Sequence, residues 1–253
     1  MRKFIFSTDL HYGYERRNGH KSPLHDLKAW QTVVKFAADF KPDVWILGGD
    51  MLDCGAISHH TKHKPGQTEG LRLVNDAAEG RAVFIAPVER LAKERVYFIG
   101  NHEHWLDDLR DEMPALEGLV DVRTLLGLQG WQVVPQGDAY HLGKLTFIHG
   151  DTLSGGEHVA KSAVIHYERS MRFGHFHTYQ TYTKTSPLHY KHAKTGMAVP
   201  CLCGKMPSYG KGRPNRWVQG FCYGWVHDNG HFNDHVVIIL DGKATINGKV
   251  YAS

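Results

Sequence analysis

The amino-acid sequence predicts an α/β layered protein, on three observations. Short apolar runs read as buried strands, segments of helical period lie between them, and metal-binding residue types follow the end of each run. The chain has 253 residues, of which 42% are hydrophobic and 22% charged, as is ordinary for a soluble globular protein. Alternating strands and helices over roughly the first 175 residues are typical of sheets covered by helices.

Five apolar runs are predicted to be the strands of this core. Each is rich in β-branched or aromatic residues and lacks polar alternation, which indicates burial on both faces. They are residues 3–8, 43–47, 95–99, 145–148 and 170–173.

Helical spacing predicts helices between these strands. Ser22-Pro23 suggests an N-cap followed by proline at the first helical position, and apolar residues then repeat at helical spacing over residues 30–40. A second helical region covers residues 69–94, with Pro87 expected to kink or divide it. Residues 154–157 match a capping box before a third helix.

The last 75 residues or so change character. Strands are predicted over residues 178–185, 197–203, 217–226 and 235–240, with hairpin turns at residues 228–230 and 241–242. Because no Pro/Ser-rich linker intervenes, we expect one domain over residues 1–253, whose second half supplies a second sheet.

Charge and cysteine content narrow the class of protein. A formal net charge of +4 permits a polyanionic partner without requiring one. The four cysteines form no secreted disulfide pattern, and no signal-peptide or transmembrane stretch is evident. We therefore expect a cytoplasmic protein with no membrane association and no obligate protein partner.

Five short signatures rich in Asp, His and Asn follow the predicted strands. Residues two apart in extended backbone point the same way, so such pairs present their donors together. Carboxylate, amide and imidazole donors suit first-row divalent ions, and two such ions serve the hydrolysis of phosphate esters. The signatures are Asp9-Leu10-His11, Gly49-Asp50-Met51-Leu52-Asp53, Gly100-Asn101-His102-Glu103, His149-Gly150-Asp151 and Gly174-His175-Phe176-His177.

These signatures, in this order, closely resemble the calcineurin-like metallophosphoesterase superfamily. The resemblance implies a four-layer αββα sandwich, in which two mixed sheets face each other and helices cover the outside. It also implies two bound divalent ions, with Mn expected and Fe, Zn, Co, Ni or Mg as alternatives. The first ion would be held by Asp9, His11, Asp50 and His177, and the second by Asp50, Asn101, His149 and His175.

The resemblance further implies a mechanism. A hydroxide bridging the ions would attack phosphorus while His102 assists the leaving oxygen or stabilises the transition state. Asp53 matches the family carboxylate that pairs with this histidine. Its physical purpose is clear, because two nearby cations depress the pKa of an imidazolium and a carboxylate restores it.

One departure from the family bears on the substrate. Protein serine/threonine phosphatases place an arginine after the last Asp of the second signature, where this chain has Cys54. The sequence looks more like small bacterial and phage enzymes near the DNA-repair exonuclease (SbcD-like) branch. We therefore expect hydrolysis of phosphodiesters, in nucleic acid or nucleotides. The alternatives are a phosphomonoesterase or pyrophosphatase acting on small nucleotides, and a non-catalytic scaffold such as the retromer subunit of this superfamily.

Two further segments are candidates for contact with substrate. Residues 58–64 should overhang the cleft and offer a phosphate the imidazoles of His59, His60 and His63; the alternative is a solvated loop. Residues 205–217 interleave basic and aromatic side chains, which suits a nucleic-acid backbone and stacked bases. The basic residues there are Lys211, Arg213 and Arg216, and an exposed charged loop explains them equally well.

A separate zinc site is a weaker hypothesis. His189 and His192 precede Cys201 and Cys203, but this spacing is loose and matches no finger pattern. For Cys54, burial as a small side chain is a simpler interpretation than a redox-sensitive neighbour of the metal ions.

Overall fold

The computed structural model describes residues 1–17, 19–186, 188, 193–204 and 214–253. Its strands are β1 (Arg2–Ser7), β2 (Tyr14–Arg17), β3 (His20–Pro23), β4 (Val44–Leu47), β5 (Glu94–Phe98), β6 (Gln132–Val134), β7 (Tyr140–Leu142), β8 (Leu145–Ile148), β9 (Ser170–Phe173), β10 (Gln180–Lys184), β11 (Lys194–Ala198), β12 (Gly220–Val226), β13 (Phe232–Ile238), β14 (Lys243–Ile246) and β15 (Lys249–Ala252). Its α-helices are α1 (Leu27–Phe40), α2 (Pro65–Thr68), α3 (Leu73–Gly80), α4 (Ala86–Leu91), α5 (Asn101–Glu112), α6 (Val122–Leu126) and α7 (Val159–Tyr167).

The first sheet is mixed and is built around β1. Its strand order across the described residues is β13-β12-β1-β4-β5-β6. Strands β1, β4, β5 and β6 are parallel, and β12 runs antiparallel to both of its neighbours, β1 and β13. In β1, Phe4 and Phe6 face one apolar cluster and Ile5 faces another. Because both faces are covered, the strand reads as a continuous apolar run.

The second sheet is also mixed. Its order in the described part of the chain is β10-β11-β9-β8-β7, with β8, β9 and β11 parallel. Phe147 of β8 contacts Phe4 and Phe6 of β1, with ring centroids 5.5 and 5.3 Å apart. The two sheets therefore pack face to face through aromatic side chains.

Helices cover the outer faces of both sheets. Trp30, Val33 and Phe36 of α1 pack in one cluster with Ile5 and Trp45, on the outer face of the first sheet. On the outer face of the second sheet, residues of α7 join a smaller cluster with β8, β9 and β11. This is the expected αββα order of layers, and the predicted α/β fold class is confirmed.

Three local predictions are wrong. Helix α1 is capped by Asp26, whose side chain accepts from the N–H groups of Lys28 and Ala29; Ser22-Pro23 instead belongs to β3. No capping box forms at residues 154–157, since α7 begins after His158 without a side-chain cap. The strands predicted over residues 217–240 join the first sheet beside β1 instead of building the second, because β12 pairs with β1.

Among the residues that the structure describes, no helix combines the length and apolar character needed to cross a lipid bilayer.

Candidate metal centre

The predicted donor residues lie where parallel strands of both sheets end. Asp9 and His11 follow β1, Asp50 follows β4, and Asn101 begins α5 directly after β5. His149 follows β8, and the two remaining histidines follow β9. Carboxyl ends of parallel strands meet at one edge of a sheet, where open α/β folds place their sites. Packing two such edges together brings all seven donors to one place.

The backbone at these positions is unusual. Asp9, His11, Asp50, His175 and His177 have φ between 49° and 67°, in the left-handed region. They account for half of the ten described non-glycine residues with positive φ. Such conformations are costly for residues with a Cβ and concentrate at functional sites.

The first cluster joins Asp9, His11 and His177, whose donor atoms lie within 4.8 Å of one another. The Nε2 atoms of the two histidines are 3.2 Å apart, and His177 Nε2 is 3.3 Å from Asp9 Oδ1. His11 Nδ1 lies 3.0 Å from Asp53 Oδ1. His177 Nδ1 lies 3.7 Å from the sulfur of Cys203. Each ring is thus held by its Nδ1 and turns its Nε2 towards the other.

The second cluster joins Asn101, His149 and His175. His175 Nδ1 is 2.9 Å and His149 Nε2 is 3.2 Å from Asn101 Oδ1. His149 Nδ1 donates to the carbonyl of Gly48 at 2.8 Å, so Nε2 is the ring nitrogen that faces the cluster. These donors come from both sheets and converge on the side-chain oxygen of Asn101.

Asp50 lies between the two clusters. Its Oδ2 is 3.4 Å from His149 Nε2 and 3.9 Å from His11 Nε2. Burial raises the pKa of Asp50, but the neighbouring imidazoles, His149 first, hold it well below the usual value. The Asp50 carboxylate is accordingly placed to serve both clusters as an anion.

The arrangement of lone pairs fits divalent cations. With Nδ1 of His11 and His149 directed at acceptors, the Nε2 atoms of both rings face further acceptors. His149 Nε2 then faces both the amide oxygen of Asn101 and the carboxylate of Asp50. Burial lowers the pKa of His149, yet the Asp50 carboxylate raises it to about 10. The same negative field that attracts a proton there attracts a cation, so the residues present fit bound metal ions.

His102 and Asp53 form a pair beside the clusters. His102 Nδ1 lies 2.7 Å from the carbonyl oxygen of Asp53 and 3.3 Å from its Oδ1. Burial lowers the pKa of His102, but Asp50 and Asp53 together raise it to about 10. The pKa of Asp53 is in turn held well below its usual range by hydrogen bonds from His102 and His11, against the effect of burial. The imidazole is thus fixed through Nδ1 and keeps Nε2 for another partner.

Glu103, the last residue of the third signature, was not predicted to have a role in the site. Glu103 is 1% exposed and accepts hydrogen bonds from the backbone N–H groups of Asp50, Met51, Leu52 and Gly100 at 2.8 to 3.0 Å. It also accepts from the hydroxyl of Tyr97 at 2.8 Å. Its carboxylate therefore fixes the loop that carries Asp50. Glutamate three residues into α5, after a glycine N-cap, was the signal available in the sequence.

The structure describes four of the six residues predicted to contact substrate: His59, His60, His63 and Arg216. The rings of His59 and His60 lie 5.5 and 6.0 Å from that of Trp105, which itself contacts His102 at 4.2 Å. His63 is exposed. Lys211 and Arg213 lie outside the described residues. Arg216 forms an ion pair with Glu157, and the neighbouring Trp217 packs on the His177 ring at 4.2 Å.

The cysteines are buried. Cys54 is 2% exposed, and burial raises the pKa of its thiol well above the usual value, so it fills space beside the site. The sulfur atoms of Cys201 and Cys203 and a ring nitrogen of His177 lie within 4.8 Å of one another, so the two cysteines adjoin the first cluster through His177. The hypothesis that they share zinc with His189 and His192 falls on histidines outside the described residues.

The calcineurin-like phosphoesterase family model matches residues 2–195, most of the chain. The protein therefore belongs to the calcineurin-like phosphoesterase family, whose members bind divalent metal ions and usually hydrolyse phosphoesters. The buried His and Asp clusters described above are the groups in this chain that could hold such ions. No curated protein matches the sequence.

Two solved structures resemble the chain over nearly its whole length. Vps29 of Chaetomium thermophilum shares 11% identity at a TM-score of 0.45, over 94% of this chain and 95% of that chain. TT1561 of Thermus thermophilus shares 12% identity at a TM-score of 0.37, over 92% of this chain and 98% of that chain.

Proposed function

We propose that this protein is a phosphodiesterase that uses two divalent metal ions and acts on nucleic acid or nucleotides. The observation that carries the proposal is the convergence of seven donor residues from both sheets into two clusters with Asp50 between them. One group of three or four donors per ion, with a carboxylate in common, is the arrangement that two-metal hydrolysis requires.

The chain's own residues would divide the work of binding. Asp9, His11 and His177 would hold one ion, and Asn101, His149 and His175 the other, with Asp50 shared by both. When bound, the ions would supply Lewis acidity that activates water and neutralises charge on the phosphate oxygens. The amide of Asn101 contributes a donor without negative charge, which keeps that acidity high.

His102 would act on the leaving group. Its Nδ1 is taken by Asp53, so Nε2 is the nitrogen that can donate a proton to the departing oxygen. The Asp53 carboxylate keeps the ring protonated beside cations that would otherwise depress its pKa. Because the ring also packs edge-on against His11 at 4.4 Å, its position relative to the first cluster is fixed.

The preference for a diester follows from charge. A phosphomonoester carries nearly two negative charges at neutral pH and a diester carries one, so monoester sites gain more from an added fixed cation. At the position of the phosphatase arginine this chain has Cys54, which is buried and uncharged. Trp217 against His177 places an aromatic ring of the basic segment next to the metal centre, as stacking of a nucleobase would require.

Metal analysis tests the ligand assignment. Purified protein loaded with Mn should bind two ions, and Asp50→Asn should impair both sites whereas His177→Ala should chiefly weaken the first. Asp241→Asn and His231→Ala, the same substitutions far along the chain from the donors, serve as controls. At most one ion in carefully loaded wild-type protein would contradict the two-metal proposal.

A substrate panel tests the reaction. With Mn, bis-p-nitrophenyl phosphate should be cleaved faster than p-nitrophenyl phosphate, and binding of a polynucleotide should weaken steeply with salt. Charge removal at Lys211, Arg213 and Arg216 should reduce polynucleotide binding and spare hydrolysis of the small diester. Preference for the monoester, together with salt-insensitive polynucleotide binding, would favour a nucleotide phosphatase instead.

A further inference from the structure

A cavity of about 280 Å³ lies beside the metal centre, between residues 56–62, Thr68 and helix α5. We call it the α5 cavity. Its lining includes Trp105, Asp108, Leu109 and Glu112 from the helix, with His59 and Lys62 opposite. Its volume is just below the range of roughly 300–1,000 Å³ for sites that hold drug-sized ligands. It therefore has room for a single small ring system.

The helical register connects the α5 cavity to His102. Residues three and four apart lie on one face of a helix, so His102, Trp105, Asp108 or Leu109, and Glu112 form a single stripe along α5. The Trp105 ring contacts His102 at 4.2 Å on one side and His59 at 5.5 Å on the other. The lining of the α5 cavity therefore begins at Trp105, one helical turn from His102.

The charges in the α5 cavity argue against a second phosphate there. Lys62 is paired with Glu112, which leaves Asp108 as a further carboxylate with no lysine or arginine opposite it among the residues that line the cavity. An anionic ligand would thus meet a wall that is neutral to acidic. An uncharged ligand is favoured, although the sequence alone had suggested that these histidines grip a phosphate.

The polar groups in the α5 cavity specify what an uncharged ligand should offer. Thr61 Oγ1 donates to the carbonyl of Ser58 at 3.0 Å, and Ser58 Oγ accepts from the N–H of His60 at 3.2 Å, so the Thr61 proton and one lone pair of Ser58 are engaged within their own segment. Asp108 is about half exposed, at 56%, and its Oδ1 lies 3.9 Å from Nε2 of His104. The ligand should therefore be flat, to contact Trp105 and His59, and should donate a hydrogen bond to a carboxylate.

We propose that the α5 cavity binds the base of the nucleoside whose oxygen leaves the scissile phosphate, with a base that carries an exocyclic amino group. This inference rests on the proposed phosphodiesterase activity for the direction of cleavage. It concerns a part of the site that the metal ligands do not touch. Hydrolysis would break the bond between phosphorus and the nucleoside oxygen, which takes its proton from His102, while water supplies the hydroxyl of the phosphate product.

Two diesters that differ only in the base test the proposal: the methyl phosphodiester of adenosine and the same diester of an abasic sugar. Loss of an aromatic contact to a base typically corresponds to roughly 5- to 150-fold. With the wild-type protein, kcat/KM for the adenosine diester should exceed kcat/KM for the abasic diester by a factor in this range. The products of the adenosine diester should be adenosine and methyl phosphate. His59→Ala and Asp108→Asn should each lower the ratio of these two kcat/KM values. His231→Ala and Asp111→Asn, which change residues outside the cavity lining, should retain it.

Binding of adenosine to the metal-free protein gives a second readout that needs no catalysis. Saturation-transfer NMR should detect adenosine with wild type and show weaker binding with His59→Ala and Asp108→Asn, with little change from low to high salt because the ligand is uncharged. A ratio near one with no adenosine binding would refute the cavity assignment and leave the phosphodiesterase proposal standing. A ratio insensitive to both variants, or release of methanol and adenosine monophosphate, would also refute it. If neither diester is cleaved, the phosphodiesterase proposal fails, and adenosine binding still decides the cavity.

Discussion

Replacement of Glu103 by glutamine should destabilise the protein more than any exposed Glu→Gln change on the same helix. The Glu103 carboxylate receives five donors: Oε1 accepts from Met51 N, Leu52 N and Tyr97 Oη, and Oε2 accepts from Asp50 N and Gly100 N. Burial and the charge of Asp50 raise the pKa of Glu103. Even so, five donors leave no place for a proton on the carboxyl group, and the ionised form is the one that this geometry accepts.

The size of the effect follows from the count of donors that lose an acceptor. If the glutamine oxygen takes the Oε1 position, its NH₂ group faces the N–H groups of Asp50 and Gly100, which are then left without a partner. A buried donor without an acceptor costs about 1–3 kcal/mol, so the two together cost roughly 2–6 kcal/mol. In the opposite orientation of the amide, the three donors to Oε1 lose their acceptor. Either outcome is a large fraction of a total stability of about 5–15 kcal/mol.

Urea unfolding of the metal-free protein, followed by circular dichroism and tryptophan fluorescence, measures this loss. Glu112→Gln is the matched control, because Glu112 lies at the end of α5 with a side chain 52% exposed, where surface changes stay within about 0.5 kcal/mol. Metal content should fall in parallel for Glu103→Gln, since the loop it holds carries Asp50. A loss of less than about 1 kcal/mol, no larger than that of the control, would show that the carboxylate does not anchor this loop.

Three further predictions follow from particular contacts. His102→Ala should leave metal content nearly intact yet slow diester hydrolysis by about 10²–10⁴-fold, as for loss of an acid–base group, and loss of metal with activity would make His102 a ligand. Gly100→Ala should lower both stability and metal content, because a Cβ there would lie 2.2 Å from Asp50 Oδ1; Gly66→Ala, with no neighbour within 4 Å, should do neither. Burial raises the pKa of Asp76 from 3.8 to about 6, and its Oδ1 lacks a hydrogen-bond partner among the described residues. The folded protein therefore favours the neutral acid, and the stability that this contributes to the fold is lost as the pH rises from about 4 to 6. As the pH rises from about 4 to 6, the free energy of unfolding of the metal-free wild type, measured with urea, should fall by roughly 2–3 kcal/mol relative to that of Asp76→Asn. An unchanged difference between the two proteins would contradict the raised pKa.

The core strands and the donor residues could be predicted because their signals are local. Strands β8 and β9 have the predicted bounds, since strands buried on both faces are apolar without interruption. The donors follow those strands directly, so locating the strand ends also locates the donors. The roles assigned to individual donors stay predictions until metal is measured.

Long-range pairing could not be read from the sequence. Strands β12 and β13 carry ordinary hairpin signals, which specify the turn at residues 228–230 but not the partner strand. Their place beside β1 depends on contacts between residues more than 200 positions apart, such as Phe4 with Gly224. Likewise, Ser22-Pro23 has the local signature of a helix start, but Tyr14 pairs with Pro23 in a hairpin and Asp26 caps the helix. Where two local signals compete, tertiary contacts decide between them.

The strained backbone at the donors indicates a site that forms before metal binds. Left-handed φ at residues such as Asp9 and His11 costs of order 1–3 kcal/mol each, and a structure retains it only where surrounding contacts impose it. Those contacts are present in the protein itself: Asp9 N donates to the Gly49 carbonyl at 3.0 Å and His11 N to the Asp50 carbonyl at 2.9 Å. His175 N donates to the Asp9 carboxylate at 3.0 Å, which links the two sheets across the site. Because hydrogen bonds within the protein already stabilise the strained backbone, metal ions would bind to donors that are in place. The free energy of metal binding would then not be reduced by ordering of the loops.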